Sequence, residues 1–326
     1  MKFRIGTRSS AMALAQTAEV ARRLKEAWPD LQPETARFTP TGDRDLVSRL
    51  DAHGGKGGAF VAELRAAMLK GELEAAMHSL KDMPGDEETP GLVVAAYLAR
   101  ESFSDALVLR SGLSLDDFGD GAGLKIGTDS VRRAAFLKRL YPQAQIVHYR
   151  GAADTRVRKL DEGALQKLPG GGAVGPADAL VMAAAGLRRV GLGERIAREF
   201  TPDEMLPSAG QGIVAVECPA EAWESRRRIA AIDDVGARAE ALAEREVLWV
   251  LNGHCQSPIA AHATRAGRVL RLKAAVLSLD GAQMAEAESE GPADRPRELG
   301  RAVAAALQAK GAGRLIDSAR EPDRRL

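Results

Sequence analysis

Two stretches of this chain lay out the same plan. FRIGTRSSAMALAQTAEVARRLKEAWP (residues 3–29) and LKIGTDSVRRAAFLKRLYP (residues 124–142) each run from a short apolar strand through Ile-Gly-Thr and a polar turn into an amphipathic helix closed by proline. In the first copy Ser9 or Ser10 can cap the helix, Ala11, Leu14, Ala15, Ala18, Ala21, Leu24 and Trp28 recur at helical spacing, and Pro29 stops it. In the second, Asp129 or Ser130 is the cap and Pro142 the stop. A strand that feeds directly into a helix aims the unpaired N–H groups of the helix at whatever sits above the carboxyl edge of the sheet, and the helix dipole favours an anion there. Arg8 stands beside the first turn, Arg132 and Arg133 beside the second. Two copies of one device predict a two-lobed α/β protein whose lobes both face one cleft with anion sites.

The rest of the chain fits that plan. GAFVAELRAAMLKGE reads as a helix, LEAAMHSL, GLVVAAYLA and DALVLR as strands, and ADALVMAAAGLRRVGL as a strand with a short helix. From about residue 223 the texture changes to a long charged helix, then RVLRLKAAVLSLDG, which alternates like antiparallel strands, then a helix over RELGRAVAAALQAKGA, together a smaller α+β domain. A length of 326 residues also predicts more than one core. The net charge of +1 excludes a general polyanion-binding surface, and no apolar run approaches the roughly 20 residues of a membrane span. Two cysteines cannot form a disulfide framework, which points to a reducing, cytoplasmic setting. The five histidines lack metal-ligand spacing, no GxGxxG follows a strand, and the arginine clusters lack the interleaved aromatics of a nucleic-acid surface. No metal, nicotinamide or nucleic-acid partner is expected.

Four stretches carry candidate chemistry. AAMHSLKDMPG puts Ser79, Lys81 and Asp82 at the end of a strand, where α/β ligands bind, although Lys-Asp with a proline soon after also suits a plain surface turn. A carboxylate there can stabilise a developing cation or pass a proton. GDRDLVSRLDAHGGKGGAF (residues 42–60) is a long polar loop of the kind that forms lids and lacks the phosphate-loop spacing. HYRGAADTRVRKLDEG gathers Arg150, Arg156 and Arg158, forks suited to carboxylates. NGHCQSPIA sets Cys255 in a polar turn, as a tolerated loop thiol or a reactive one, whereas Cys218 closes the apolar run GIVAVEC and reads as core.

In this order the motifs IGTRSSAMALAQ, GGKGGAFVAEL, HSLKDMP, IGTDSVRRAAFLKRLYP, RGAADTRVRKLDEG, AAAGLRRVGL, SAGQGIVAVEC and GHCQSPIAA span most of the chain, which resembles the hydroxymethylbilane synthase, or porphobilinogen deaminase, family. The resemblance implies three domains. Two periplasmic-binding-protein-like lobes would take residues 1–102 with 203–219, the chain crossing back, and residues 103–202. A C-terminal domain over 223–326 would anchor the cofactor. It implies a cytoplasmic, monomeric transferase of tetrapyrrole (haem) biosynthesis. Such an enzyme condenses four porphobilinogen molecules, with loss of ammonia, onto a dipyrromethane primer and releases hydroxymethylbilane by hydrolysis. By the same resemblance Cys255 would hold the dipyrromethane as a thioether, and Asp82 would be catalytic. Lys81, Ser79, Thr128, Ser130, Arg132, Arg133 and Arg150 would contact the cofactor, and Arg8, Ser10, Gln16, Lys56, Arg156, Arg189 and Gln211 the substrate. The family's second motif usually carries serine where this chain has Asp129, and its RGN reads RGA, with Ala152. Rival readings are a non-catalytic two-lobed polyanion binder, which has no use for Cys255, and a cysteine hydrolase using His254, which lacks an orienting partner.

Overall fold

The computed structural model describes residues 2–38, 58–85, 87–167, 172–253 and 257–320. Strand β1 (Lys2–Arg8) buries Phe3 and Ile5 completely, two positions apart as a pleat demands. It turns into α1 (Ala11–Ala27), where the Ser10 hydroxyl accepts the Ala13 amide at 3.3 Å, so Ser10 rather than Ser9 is the cap. The face of α1 that is buried consists of Ala13, Gln16, Thr17, Val20 and Leu24, with Ala11 and Ala18 exposed. The expected apolar stripe is therefore out of phase. Two polar residues lie inside because each has a partner: Thr17 donates to the Ala13 carbonyl at 2.8 Å, and Gln16 accepts from Ser79.

Strand β2 (Gln32–Phe38) pairs parallel with β1, α2 (Gly58–Leu69) covers the opposite face from α1, and β3 (Ala75–Ser79) and β4 (Leu92–Tyr97) follow. The chain then leaves for a second sheet built from β5 (Asp105–Leu109), β6 (Lys125–Gly127), β7 (Gln145–Val147), β10 (Ala179–Ala183) and β11 (Ile196–Glu199), in the order β11-β5-β10-β6-β7. Helices α3 (Val131–Leu140), α4 (Ala153–Asp161) and α5 (Ala184–Arg189) pack on it, and β8 (Gln166–Lys167) and β9 (Ala173–Val174) form a hairpin apart. Strand β12 (Val214–Pro219) returns to the first sheet and runs antiparallel between β3 and β4, giving β2-β1-β3-β12-β4.

Helix α6 (Trp223–Ala230), grouped by the sequence reading with the C-terminal domain, adds Ile229 to the first core, and Trp28 donates its indole N–H to the Arg228 carbonyl at 3.1 Å. Helix α7 (Val235–Val250) begins the last unit, followed by the antiparallel meander β13 (Ile259–Ala266), β14 (Val269–Leu277) and β15 (Met284–Pro292), then α8 (Pro296–Ala309) and α9 (Ala312–Arg320). One face of this meander packs on α7, α8 and α9. The other gives Ala260, Ala275 and Leu277 to the core of the second sheet.

Glu244 on α7 fastens the three units together with no exposed surface. Its carboxylate meets Arg100 Nη2 at 2.6 Å and accepts the Gly210 amide at 2.6 Å, both in segments linking the first two sheets. It also accepts the Ala263 amide on β13 at 2.7 Å. Burial alone would push this carboxyl up; Arg100 and His262 outweigh burial and hold it below the usual range.

Candidate active site

The carboxyl ends of β1 and β3 deliver the first half of the cleft. After Ser79 the chain makes a single 3₁₀ turn, Leu80–Asp82, fixed by the Leu80 amide donating to the Ile213 carbonyl at 3.0 Å and by a fully buried Leu80 side chain. Against that side chain lies Gly210, with φ +76°, where a Cβ would come within 2.7 Å of Leu80. Gly212, with φ +86°, would place a Cβ 2.5 Å from the Ser102 carbonyl oxygen. The Gly-Gln-Gly of SAGQGI is thus a steric requirement, and it holds Gln211 between the sheets. Asp82 lines a pocket together with Arg8, Ser10, Gln16, His78 and Ser79, and with Val61 and Leu64 of α2. Its Oδ2 lies 3.8 Å from Arg8 Nη1, and the Ser79 hydroxyl donates to Gln16 Oε1 at 3.0 Å.

The second half comes from β6 and α3. Thr128 Oγ1 accepts the Ser130 amide at 3.3 Å and Ser130 Oγ accepts the Arg133 amide at 3.4 Å, so Ser130, not Asp129, caps α3. Arg132 and Arg133 are not solvated. Both are buried against Asp105 at the head of β5, with Arg132 Nη2 at 2.7 Å and Arg133 Nε at 2.8 Å from the two carboxylate oxygens. Arg132 also donates to the Leu206 carbonyl at 2.8 Å. Gln211 joins the halves. Its Oε1 accepts from Lys81 at 3.3 Å and from Arg133 at 3.4 Å, while its amide donates to Asp105 Oδ1 at 3.0 Å and to the Phe103 carbonyl at 2.7 Å.

Electrostatics show what this arrangement lacks. Burial would raise the Asp105 carboxyl, but Arg132, Arg133 and Lys81 outweigh it and hold it at about 2. Burial, with the neighbouring Arg133 charge, pulls the Lys81 ammonium down to about 8, and the same two causes bring Arg156 down to about 10. Arg156 Nε is buried without a hydrogen-bond partner. Half-buried cations with depressed pKa values and an orphaned guanidinium N–H mark a cleft short of negative charge. A ligand bearing several carboxylates supplies what is missing, so these residues fit a dipyrromethane with its acetate and propionate arms.

Arg150 faces Asp129, with Nε 3.4 Å from Oδ2. Arg189 lies farther off, donating to the Gly212 carbonyl at 3.3 Å, and burial lowers its pKa. Arg158 pairs with Glu162 on the exposed face of α4. Cys218 is fully buried in β12, its thiol pushed up to about 11 by burial. Lys56 and Cys255, with most of the expected lid, lie outside the described residues, and among those described no cluster of metal-ligating side chains occurs. Sequence reasoning missed Asp105. The available signal was a lone acid opening the apolar run DALVL, in a chain whose paired arginines need a counter-charge.

Comparison with known proteins identifies the family. The family described as porphobilinogen deaminase, dipyromethane cofactor binding domain, matches residues 3–227, and the porphobilinogen deaminase C-terminal domain matches residues 238–309. The porphobilinogen deaminase of Stenotrophomonas maltophilia (strain R551-3) is 41% identical over 314 residues, covering 96% of this chain and 98% of that protein. Porphobilinogen deaminase 2 of Streptomyces coelicolor is 39% identical over 318 residues, covering 97% and 96%. Among solved structures, a nutrient-binding protein from Burkholderia cenocepacia bound to methionine is 14% identical, with a TM-score of 0.40 over 71% of this chain and 91% of that one. With its cofactor-binding and C-terminal regions both matched, the chain belongs to the porphobilinogen deaminase family.

Proposed function

We propose that the cleft between the first two sheets performs the family's reaction, hydroxymethylbilane synthesis from four porphobilinogen molecules, with Asp82 as its catalytic group. The support is the placement of Asp82 in the wall of a pocket beside half-buried, under-compensated cations. In this reading the Asp82 carboxylate accepts a hydrogen bond from the pyrrole N–H of porphobilinogen and stabilises the positive charge that develops as ammonia leaves. Arg8, 3.8 Å away, holds that carboxylate in position. Arg156, Lys81, Arg133 and Arg150 bind the acetate and propionate arms, while Arg132 acts chiefly through Asp105. Ser79 and Gln16 fix the pocket wall by their shared hydrogen bond. Thr128 and Ser130 hold the start of α3, and Ser10 that of α1, at the cleft edge. Gln211 keeps Lys81 and Arg133 in register across the two halves.

When bound, the dipyrromethane supplies the pyrrole carbon from which the product chain grows. We assign its attachment to Cys255 as a thioether, with Lys56 and Arg189 as outer substrate contacts. The domains are read as residues 1–102 with 203–230, 103–202, and 235 onward, the sequence-based boundary at 223 moving because α6 packs on the first core. We read the protein as a cytoplasmic monomer, a thiol anchor suiting a reducing compartment. No helix among the described residues is long and apolar enough to cross a membrane.

Purified protein given porphobilinogen should form a linear tetrapyrrole, and its intact mass should exceed the chain mass by a dipyrromethane. Cys255→Ser should abolish that added mass, and normal loading in the variant would remove the anchor role. The Lys81 pKa adds a second test. With its ammonium at about 8 rather than 10.5, Lys81 loses its charge as pH rises through that value, so kcat/KM should fall on the alkaline side from about pH 8. Lys81→Arg should flatten this limb, and an unchanged profile would place the titrating group elsewhere.

A further inference from the structure

Asp129 is an acid in a cleft otherwise short of acids. It precedes the N-cap of α3, where a negative charge near the helix start would need no other explanation. Its contacts are different. The Ser130 hydroxyl already accepts the Arg133 amide. The Asp129 carboxylate instead lies 2.8 Å from His148 Nδ1 through Oδ1 and 3.4 Å from Arg150 Nε through Oδ2. Arg150 is only 8% exposed, so this pair is not a solvated surface contact. Asp129 also acts on a third cation, as one of the charges favouring the protonated form of Arg156. Around it, His148 Nε2 and Arg156 Nε are buried without hydrogen-bond partners.

We propose that Asp129 is an affinity-setting residue, a carboxylate of the chain itself that competes with the carboxylate arms of the bound pyrroles for Arg150. The inference rests on the reading of Arg150 and Arg156 as carboxylate contacts. An arm approaching Arg150 either displaces Asp129, losing an existing ion pair, or shares the guanidinium and meets a like charge. Both outcomes weaken binding without touching the reacting carbon. The effect therefore falls on KM rather than on kcat.

The experiment compares Asp129→Asn, which keeps the shape and removes the charge, and Asp129→Ser with the parent holoenzyme in steady-state turnover of porphobilinogen. Both variants should lower KM by about fivefold, the scale of one ion pair whose carboxylate keeps some contact with solvent, with a much smaller change in kcat. Competition for Arg150 also predicts that the gain shrinks in the Arg150→Gln background. A KM that is unchanged or raised in Asp129→Asn overturns the proposal. If Arg150→Gln alone raises KM in that case, the cleft reading survives and only the competition fails. If neither substitution moves KM, the carboxylate-binding assignment of this corner fails with it.

Discussion

Replacing Asp82 by asparagine should leave a folded chain whose turnover of porphobilinogen falls by about 10²–10³-fold, the usual cost of removing one preorganised electrostatic stabiliser. Asparagine keeps the size of the side chain and one acceptor oxygen, so the pocket with Ser79 and Gln16 should persist. What disappears is the negative charge opposite the developing cation. The Asp82 side chain is 34% exposed and its partner Arg8 is 3.8 Å distant, so the loss should be catalytic and not structural. Rates of hydroxymethylbilane formation measured beside thermal unfolding curves check both halves. A rate within a few-fold of the parent would move charge stabilisation to another group, and a collapsed melting curve would make the aspartate structural.

The second large effect is expected at Asp105. Asp105→Ala removes the buried counter-charge of Arg132 and Arg133, and breaking such a pair from one side costs about 3–5 kcal/mol because the remaining charges stay desolvated. Gln211 loses an acceptor at the same time, so the connection from Lys81 to the second sheet slackens. The urea midpoint should drop accordingly, and KM should rise as the guanidiniums lose their setting. The acid limb follows from the same carboxyl. Its folded pKa of about 2 lies below the ordinary 3.8, so its contribution to stability is present above the ordinary value and is lost as pH falls through about 2. Asp105→Ala should have a shallower acid limb than the parent. A destabilisation below about 1 kcal/mol would show that the arginines find other partners and that Asp105 is not what holds them.

Local rules made the α/β plan legible. The repeated strand, turn and helix could be read because a strand fixes its period and a serine fixes the first turn, and both Ser10 and Ser130 take the cap. The phase of α1 was misread because the sequence shows which residues are apolar, not which polar ones find partners inside; Gln16 and Thr17 did. Strand β2 carried no signal, since QPETARF is mostly exposed and exists through pairing with β1. At the site, proximity within the chain brought Ser79, Lys81 and Asp82 to notice. Asp105 and Asp129 matter through residues far along the chain or on neighbouring strands, and only tertiary structure supplies those distances.

The return of β12 also sets an order of events during synthesis. All five strands of the second sheet lie between residues 105 and 199, so its strand pairing needs nothing translated later, although one face of it still waits for Ala260, Ala275 and Leu277. The first sheet begins at the N-terminus yet has a gap between β3 and β4 until residues 214–219 exist to fill it. The half that is translated first is therefore the half whose sheet closes later, beside a neighbour whose strands are already paired. A nascent chain halted before residue 214 exposes two strand edges that have nothing of their own to pair with, the kind of edge that invites pairing with another chain.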